Sequence, residues 1–89
     1  MNSKRNWALR VDSKVYKALS KIPKEYARKI LNVIKSLSLN PFAGDIQKIK
    51  DQDNSWRRRA GDYRIFYDIK AEEKIVEVTW VERRTSKTY

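Results

Sequence analysis

An α+β fold, with helices covering one face of a mainly antiparallel sheet, follows from three features of this 89-residue sequence. Two helix-period segments lie side by side in the first half of the chain. One period-two stretch precedes them, and three or four more follow. Polar and glycine- or proline-bearing turns separate the later stretches: Asn40-Pro41, Asp51–Asn54 and Gly61-Asp62.

Taken in order, Trp7–Val11 alternates, with Trp7, Leu9 and Val11 on one side and Ala8 and Arg10 on the other. This predicts a strand with one buried face. Asp12 and Ser13 are both capping residues for the helix that follows. Val15, Leu19 and Ile22 then fall near helical spacing, so that helix runs to about Lys21. Pro23 suits the first turn of a second helix. Tyr26, Ala27, Ile30, Leu31, Val33, Ile34 and Leu37 form its apolar stripe, from Lys24 to about Leu39. Asn40-Pro41 stops it, because the residue before proline is pushed out of the helical region. The short connection predicts an antiparallel helical hairpin.

Phe42–Asp45 reads as a loop, and Ile46–Lys50 as a short strand or an extended lead-in. Trp56–Ala60 and Tyr63–Ile69 read as strands joined by the tight turn Gly61-Asp62. Lys74–Val81 alternates again, with Val76, Val78 and Trp80 on one side, and Glu82–Tyr89 carries neither period. In the second strand of the hairpin, Tyr63, Ile65, Tyr67 and Ile69 share a face that belongs under the helices. Arg64, Phe66 and Asp68 share the other. Trp7 and Trp80 are expected in the core, and Arg58 on the opposite face from Arg57 and Arg59. The whole, residues 1–89, is expected to be one domain with one modest core.

Composition narrows the chemistry. Lys and Arg number 21 against 11 Asp and Glu, a formal charge of +10, spread from Lys4 to Lys87. That excess favours an anionic partner. The sequence has no cysteine and no histidine. Thiolate chemistry is excluded, as are the commonest general acid–base and the commonest transition-metal ligand. The acids are scattered or lie in turns, so no metal site is expected. No apolar run approaches the length of a membrane span, and the N-terminal stretch lacks the apolar core of a signal peptide. A cytoplasmic protein without a membrane partner is the expectation.

Ser55–Ile69, SWRRRAGDYRIFYDI, is the most informative segment. It places Arg57, Arg58, Arg59 and Arg64 on a hairpin, interleaved with Trp56, Tyr63, Phe66 and Tyr67. Guanidinium groups match phosphate oxygens with a planar fork of donors, and rings stack on bases, so a single-stranded nucleic acid suits such a face. RNA also brings its own nucleophile. A protein that holds the phosphate in line and stabilises its growing charge can promote attack by the 2′-hydroxyl without a metal or cofactor.

WRRRAGDYRIFYDI, the preceding DIQKIK, the helical hairpin and the final VTWVERRTSKTY together resemble the RelE/ParE toxin superfamily, over nearly the whole chain. More narrowly, they resemble the RelE-type ribosome-dependent mRNA endonucleases (mRNA interferases) of type II toxin–antitoxin pairs. The resemblance implies a RelE-like microbial RNase fold and a translation-inhibiting toxin that cuts mRNA in the ribosomal A site. It implies as partners the ribosome, mRNA and a RelB-like cognate antitoxin with an acidic contacting segment, and no homo-oligomer of the free toxin. By position it implies that Arg64 binds the scissile phosphate and that Arg83 stabilises the transition state or the leaving 5′-oxygen. Tyr89 would orient the 2′-hydroxyl, stack on a base or act as the base. Arg57 and Arg59 would bind RNA, and Lys48 and Lys50 would contact ribosomal RNA or the message. The sequence departs from the RelE-type pattern where arginines stand at positions 57 and 59 in place of lysines. Arginine stays protonated, so neither can be a general base. Two other functions fit the same fold: a ParE-like inhibitor of DNA gyrase, and a ribosome- or RNA-binding module without chemistry.

Overall fold

The computed structural model describes residues 7–84, arranged as a five-stranded sheet with two helices on one face. The elements are β1 (Ala8–Val11), α1 (Ser13–Leu19), α2 (Lys24–Ser36), β2 (Ile46–Lys48), β3 (Ser55–Ala60), β4 (Tyr63–Lys70) and β5 (Ile75–Arg83). Strand order is β1-β5-β4-β3-β2. β1 runs parallel to β5, and every other neighbouring pair is antiparallel.

Local chemistry explains the helical layer. Asp12 caps α1, its carboxylate accepting from the Lys14 N–H at 3.0 Å. Pro23 stands where α2 begins and needs no N–H there; its carbonyl accepts from Tyr26 and Ala27. α2 ends at Ser36, short of the Leu39 expected from the apolar stripe. The chain there closes into tighter turns: Leu37 N–H donates to the Ile34 carbonyl and Ser38 N–H to that of Lys35. Asn40 then accepts from the Phe42 N–H at 3.0 Å, fixing the turn.

α1 packs on β5, and α2 lies over β3 and β4. Val15, Leu19, Ile30, Ile34 and Leu37 from the helical side meet Tyr63, Ile65, Tyr67, Ile69, Val76, Val78 and Val81 of the sheet. The expected faces of β4 hold along the whole strand, buried and half-buried residues alternating from Tyr63 to Lys70. Gly61 takes φ +62° in the two-residue loop between Ala60 and Tyr63, the backbone region such a hairpin demands.

β5 departs from simple alternation. Val78 pairs with Tyr67 but Trp80 pairs with Phe66, so Thr79 is an extra residue, a β-bulge. The bulge reverses the faces beyond it. Val81, 2 % exposed, enters the core opposite Ile65, and Trp80 lies 39 % exposed on the uncovered face. Trp80 is therefore not a core residue. Trp7 and Trp56 do pack against the core, and both set an edge toward or receive one from Phe42, with ring centroids 6.0 Å apart in each pair. Lys74 Nζ caps Trp7 from 5.1 Å above its ring.

Tyr67 ties the sheet to the loop after α2. Its ring is buried and its hydroxyl donates to the Pro41 carbonyl at 2.9 Å. Burial pushes its pKa up from 10.0 to about 12, with Arg58 pulling weakly the other way. The folded chain thus keeps a phenol proton that the unfolded chain releases. Stability from this group is whole below pH 10 and declines as pH rises from 10 toward 12. Alkaline denaturation followed by circular dichroism should show that decline in the wild type and its loss in Tyr67→Phe. The variant should also be less stable at neutral pH by about 1–2 kcal/mol, since the Pro41 carbonyl loses its donor.

Candidate anion-binding site

The helices leave the second face of the sheet open, and the alternation of β3 and β4 decides which arginines meet there. Arg57 and Arg59 point to the open face, while Arg58 points to the other. Arg58 Nη1 approaches the Ala43 carbonyl at 3.4 Å, and its guanidinium lies so close to Gly44, φ +89°, that a Cβ there would stand 2.6 Å from Arg58 Cζ. It clamps a loop.

Arg64 lies directly opposite Arg59 across the β3–β4 ladder. Cations facing each other in register repel unless something anionic is shared between them. The described residues supply little: Asp45 Oδ2 is 4.0 Å from Arg59 Nη1, and Glu82 Oε2 is 3.9 Å from Arg64 Nη1. Both pairs are long and partly exposed, so each is worth under about 1 kcal/mol. Arg57 Nη2 donates to Gln47 Oε1 at 2.7 Å, across the β2–β3 ladder. Arg84 completes the group. Its N–H donates to the Asp62 carbonyl at 2.6 Å, carrying the β4–β5 pairing one step past Arg83.

Asp45, Gln47, Arg57, Arg59, Arg64 and Arg84 line a pocket of about 120 Å³. Pockets that enclose drug-sized ligands run to about 300–1,000 Å³. This one suits a compact anion, gripped by several forks of donors at once. Among the described residues no three Asp or Glu side chains converge as a metal site would require.

The structure brings Arg57, Arg59 and Arg64 to one pocket and adds Gln47, Asp45 and Arg84, which the sequence did not single out. It does not bring Arg83 to them. Beyond the bulge Arg83 pairs with Tyr63 and shares the face of Val81, so its neighbour Arg84 reaches the pocket instead. The wider spacing of Val78 and Val81 is the sequence signal that flags this shift. Lys48 lies opposite Trp56, on the other face from Gln47, and Lys50 lies in the β2–β3 turn; neither lines the pocket. Tyr89 lies outside the described residues.

Comparison with known proteins agrees with this architecture. A family model described as the ParE toxin of the type II toxin–antitoxin system parDE matches residues 6–87. RelE1 of Methanocaldococcus jannaschii is 27 % identical over 77 residues, spanning 83 % of this chain and 86 % of that protein. Among solved structures, RelE in the archaeal RelE–RelB complex of Pyrococcus horikoshii superposes with a TM-score of 0.80 at 24 % identity, covering 91 % of this chain and 98 % of that one. The isolated E. coli RelE toxin gives 0.75 at 16 % identity, covering 91 % and 87 %. These two likenesses speak to fold. The family match, which spans nearly the whole chain, speaks to kinship: the chain belongs to the ParE toxin family of type II toxin–antitoxin systems, within the RelE/ParE superfamily.

Proposed function

We propose that this toxin is a metal-independent endoribonuclease that cuts mRNA in the ribosomal A site and so inhibits translation. The observation that carries the reading is the convergence of Arg57, Arg59, Arg64 and Arg84 on one small pocket in the open face. In this reaction the RNA 2′-oxygen forms a bond to phosphorus as the bond to the 5′-oxygen breaks. Negative charge builds on the phosphoryl oxygens, where fixed guanidinium donors stabilise it most. Arg64 holds the scissile phosphate, with Arg59 opposite it and Arg57 and Arg84 on either side. Tyr89 orients the 2′-hydroxyl, stacks on a base or takes the proton. Arg83, on the other face, contacts the message or ribosomal RNA beyond the pocket, as do Lys48 and Lys50 at the β2 edge.

The solved relatives named as RelE–RelB complexes support a RelB-like antitoxin as a further partner, with an acidic segment that covers the basic face. Translation in a purified cell-free system, followed by primer extension on the message, tests the proposal. Cuts within ribosome-occupied codons establish the endonuclease. Blocked translation of intact message points to a ribosome binder without chemistry. The matching family is described as ParE toxins, so the second reading is the one that the resemblance to ParE implies, inhibition of DNA gyrase; inhibited supercoiling with unaffected translation would support that instead.

Charge makes a separate prediction. If the four pocket arginines each neutralise a phosphate, log affinity for single-stranded RNA should fall with log salt at a slope of about −3. Equilibrium titrations at several salt concentrations measure it, and a salt-insensitive interaction would count against the site.

A further inference from the structure

Beside the arginine pocket the open face carries a second, chemically different one. Ser55, Phe66, Asp68 and Thr79 line it together with Ile49 and Gln52 of the β2–β3 turn, and with Trp56 and Tyr67 of the two central strands, around about 220 Å³. The two pockets meet where Arg57 and Phe66 sit opposite each other in the β3–β4 ladder. Along β4 the open face therefore reads Arg64, Phe66, Asp68: cation, ring, carboxylate. Same-face residues stand about 7 Å apart along a strand. Arg64 and Asp68 are two such steps apart, about 14 Å along the strand, a span that a nucleotide chain bridges between a phosphate and the base of a neighbouring nucleotide.

From this juxtaposition we infer that the second pocket is a nucleobase subsite, and that it selects a base carrying an exocyclic amino group over uracil. The inference rests on the proposed RNA reading and deepens it, from phosphate binding to base preference. Phe66 supplies an apolar, aromatic wall, with the exposed Trp80 ring next to it across the β4–β5 ladder. Asp68 supplies the selectivity. An ionised carboxylate only accepts hydrogen bonds, so when a pyrimidine presents its 4-position rather than N3 to it, it accepts from the cytosine N4 amino group and repels uracil O4.

The neighbours hold Asp68 in that role. Ser55 Oγ donates to its Oδ1 at 2.7 Å, which orients the carboxylate and leaves its other oxygen to accept. Among the described residues no lysine or arginine nitrogen lies within 4.0 Å of it; the nearby Lys70 pairs instead with Glu77 at 3.2 Å. Thr79 Oγ1 donates to the Phe66 carbonyl at 3.3 Å, so its own oxygen also faces the pocket as an acceptor. The bulge that removes Trp80 from the core is what brings Thr79 and Trp80 to this face together.

The test compares two pyrimidines of equal size. Fluorescence anisotropy at low salt follows the full chain binding labelled oligocytidylate and oligouridylate, with wild type, Arg64→Ala, Asp68→Asn and Phe66→Leu. The wild type should prefer oligocytidylate about tenfold, the size of effect expected for one well-made base contact. Asp68→Asn presents a donor as well as an acceptor and should shrink that preference to about twofold or less, while binding stays dependent on Arg64. Phe66→Leu should weaken both ligands alike. Binding that depends on Arg64 but shows no base preference overturns the subsite and leaves the phosphate reading standing. Binding that does not depend on Arg64, or no binding, overturns both.

Discussion

Arg64→Ala should lower the rate of message cutting by about 10²–10³-fold, the cost of removing one well-placed donor from a charge-stabilising site. The position explains why this arginine should matter most. It lies on β4, the strand with buried neighbours Tyr63 and Ile65 on either side, so its backbone is fixed by the core. Its side chain is one-third exposed, and its one ion pair among the described residues, to Glu82, is 3.9 Å long. Little inside the protein therefore competes with an incoming phosphate. The fold should not suffer in exchange. Removing Arg64 relieves repulsion with Arg59 directly opposite, so the thermal midpoint should stay level or rise slightly. Arg64→Lys keeps the charge but loses the planar fork, and should recover only part of the activity. Initial rates of primer-extension products at fixed ribosome concentration measure all three proteins. Cutting that persists undiminished in Arg64→Ala would falsify the assignment.

Much of this molecule is legible along the chain, and the reason is physical. β4 is buried on one face only, so its period-two pattern is strict and separates Arg64, Phe66 and Asp68 from the core tyrosines and isoleucines. The same logic separates Arg58 from Arg57 and Arg59. Asp12, Pro23 and Gly61 mark boundaries through backbone requirements that few other residues meet as well. What escapes the sequence depends on tertiary contacts. Asp45 reaches the pocket because the Arg59 N–H donates to its carbonyl at 3.0 Å, a contact between a loop and a strand fourteen residues later. Gln47 reaches it through its pairing with Arg57. α2 stops at Ser36 although apolar spacing continues to Leu37, because Leu37 is buried just as well from the turn that follows.

The bulge at Thr79 is the costliest of these to miss, since a one-residue slip exchanges the two faces of everything downstream. Without it, Val76, Val78 and Trp80 would line the core and Arg83 would point outward toward Arg64. With it, Val81 fills the core and Arg84 meets the other arginines. The consequence is measurable. Arg84→Ala should lower cutting by about a hundredfold, near the lower end of the effect at Arg64, because it removes a donor from the same pocket. Arg83→Ala, on the opposite face, should cost no more than about fivefold, the loss of a peripheral RNA contact on the order of 1 kcal/mol. The adjacent pair makes an internal control: both substitutions remove one charge, so long-range electrostatics and net charge change equally. A larger loss at Arg83 than at Arg84 would mean that the face of β5 presented to the phosphate is not the one that alternation beyond the bulge dictates. Equal losses would mean that bulk charge, rather than the pocket, carries the activity.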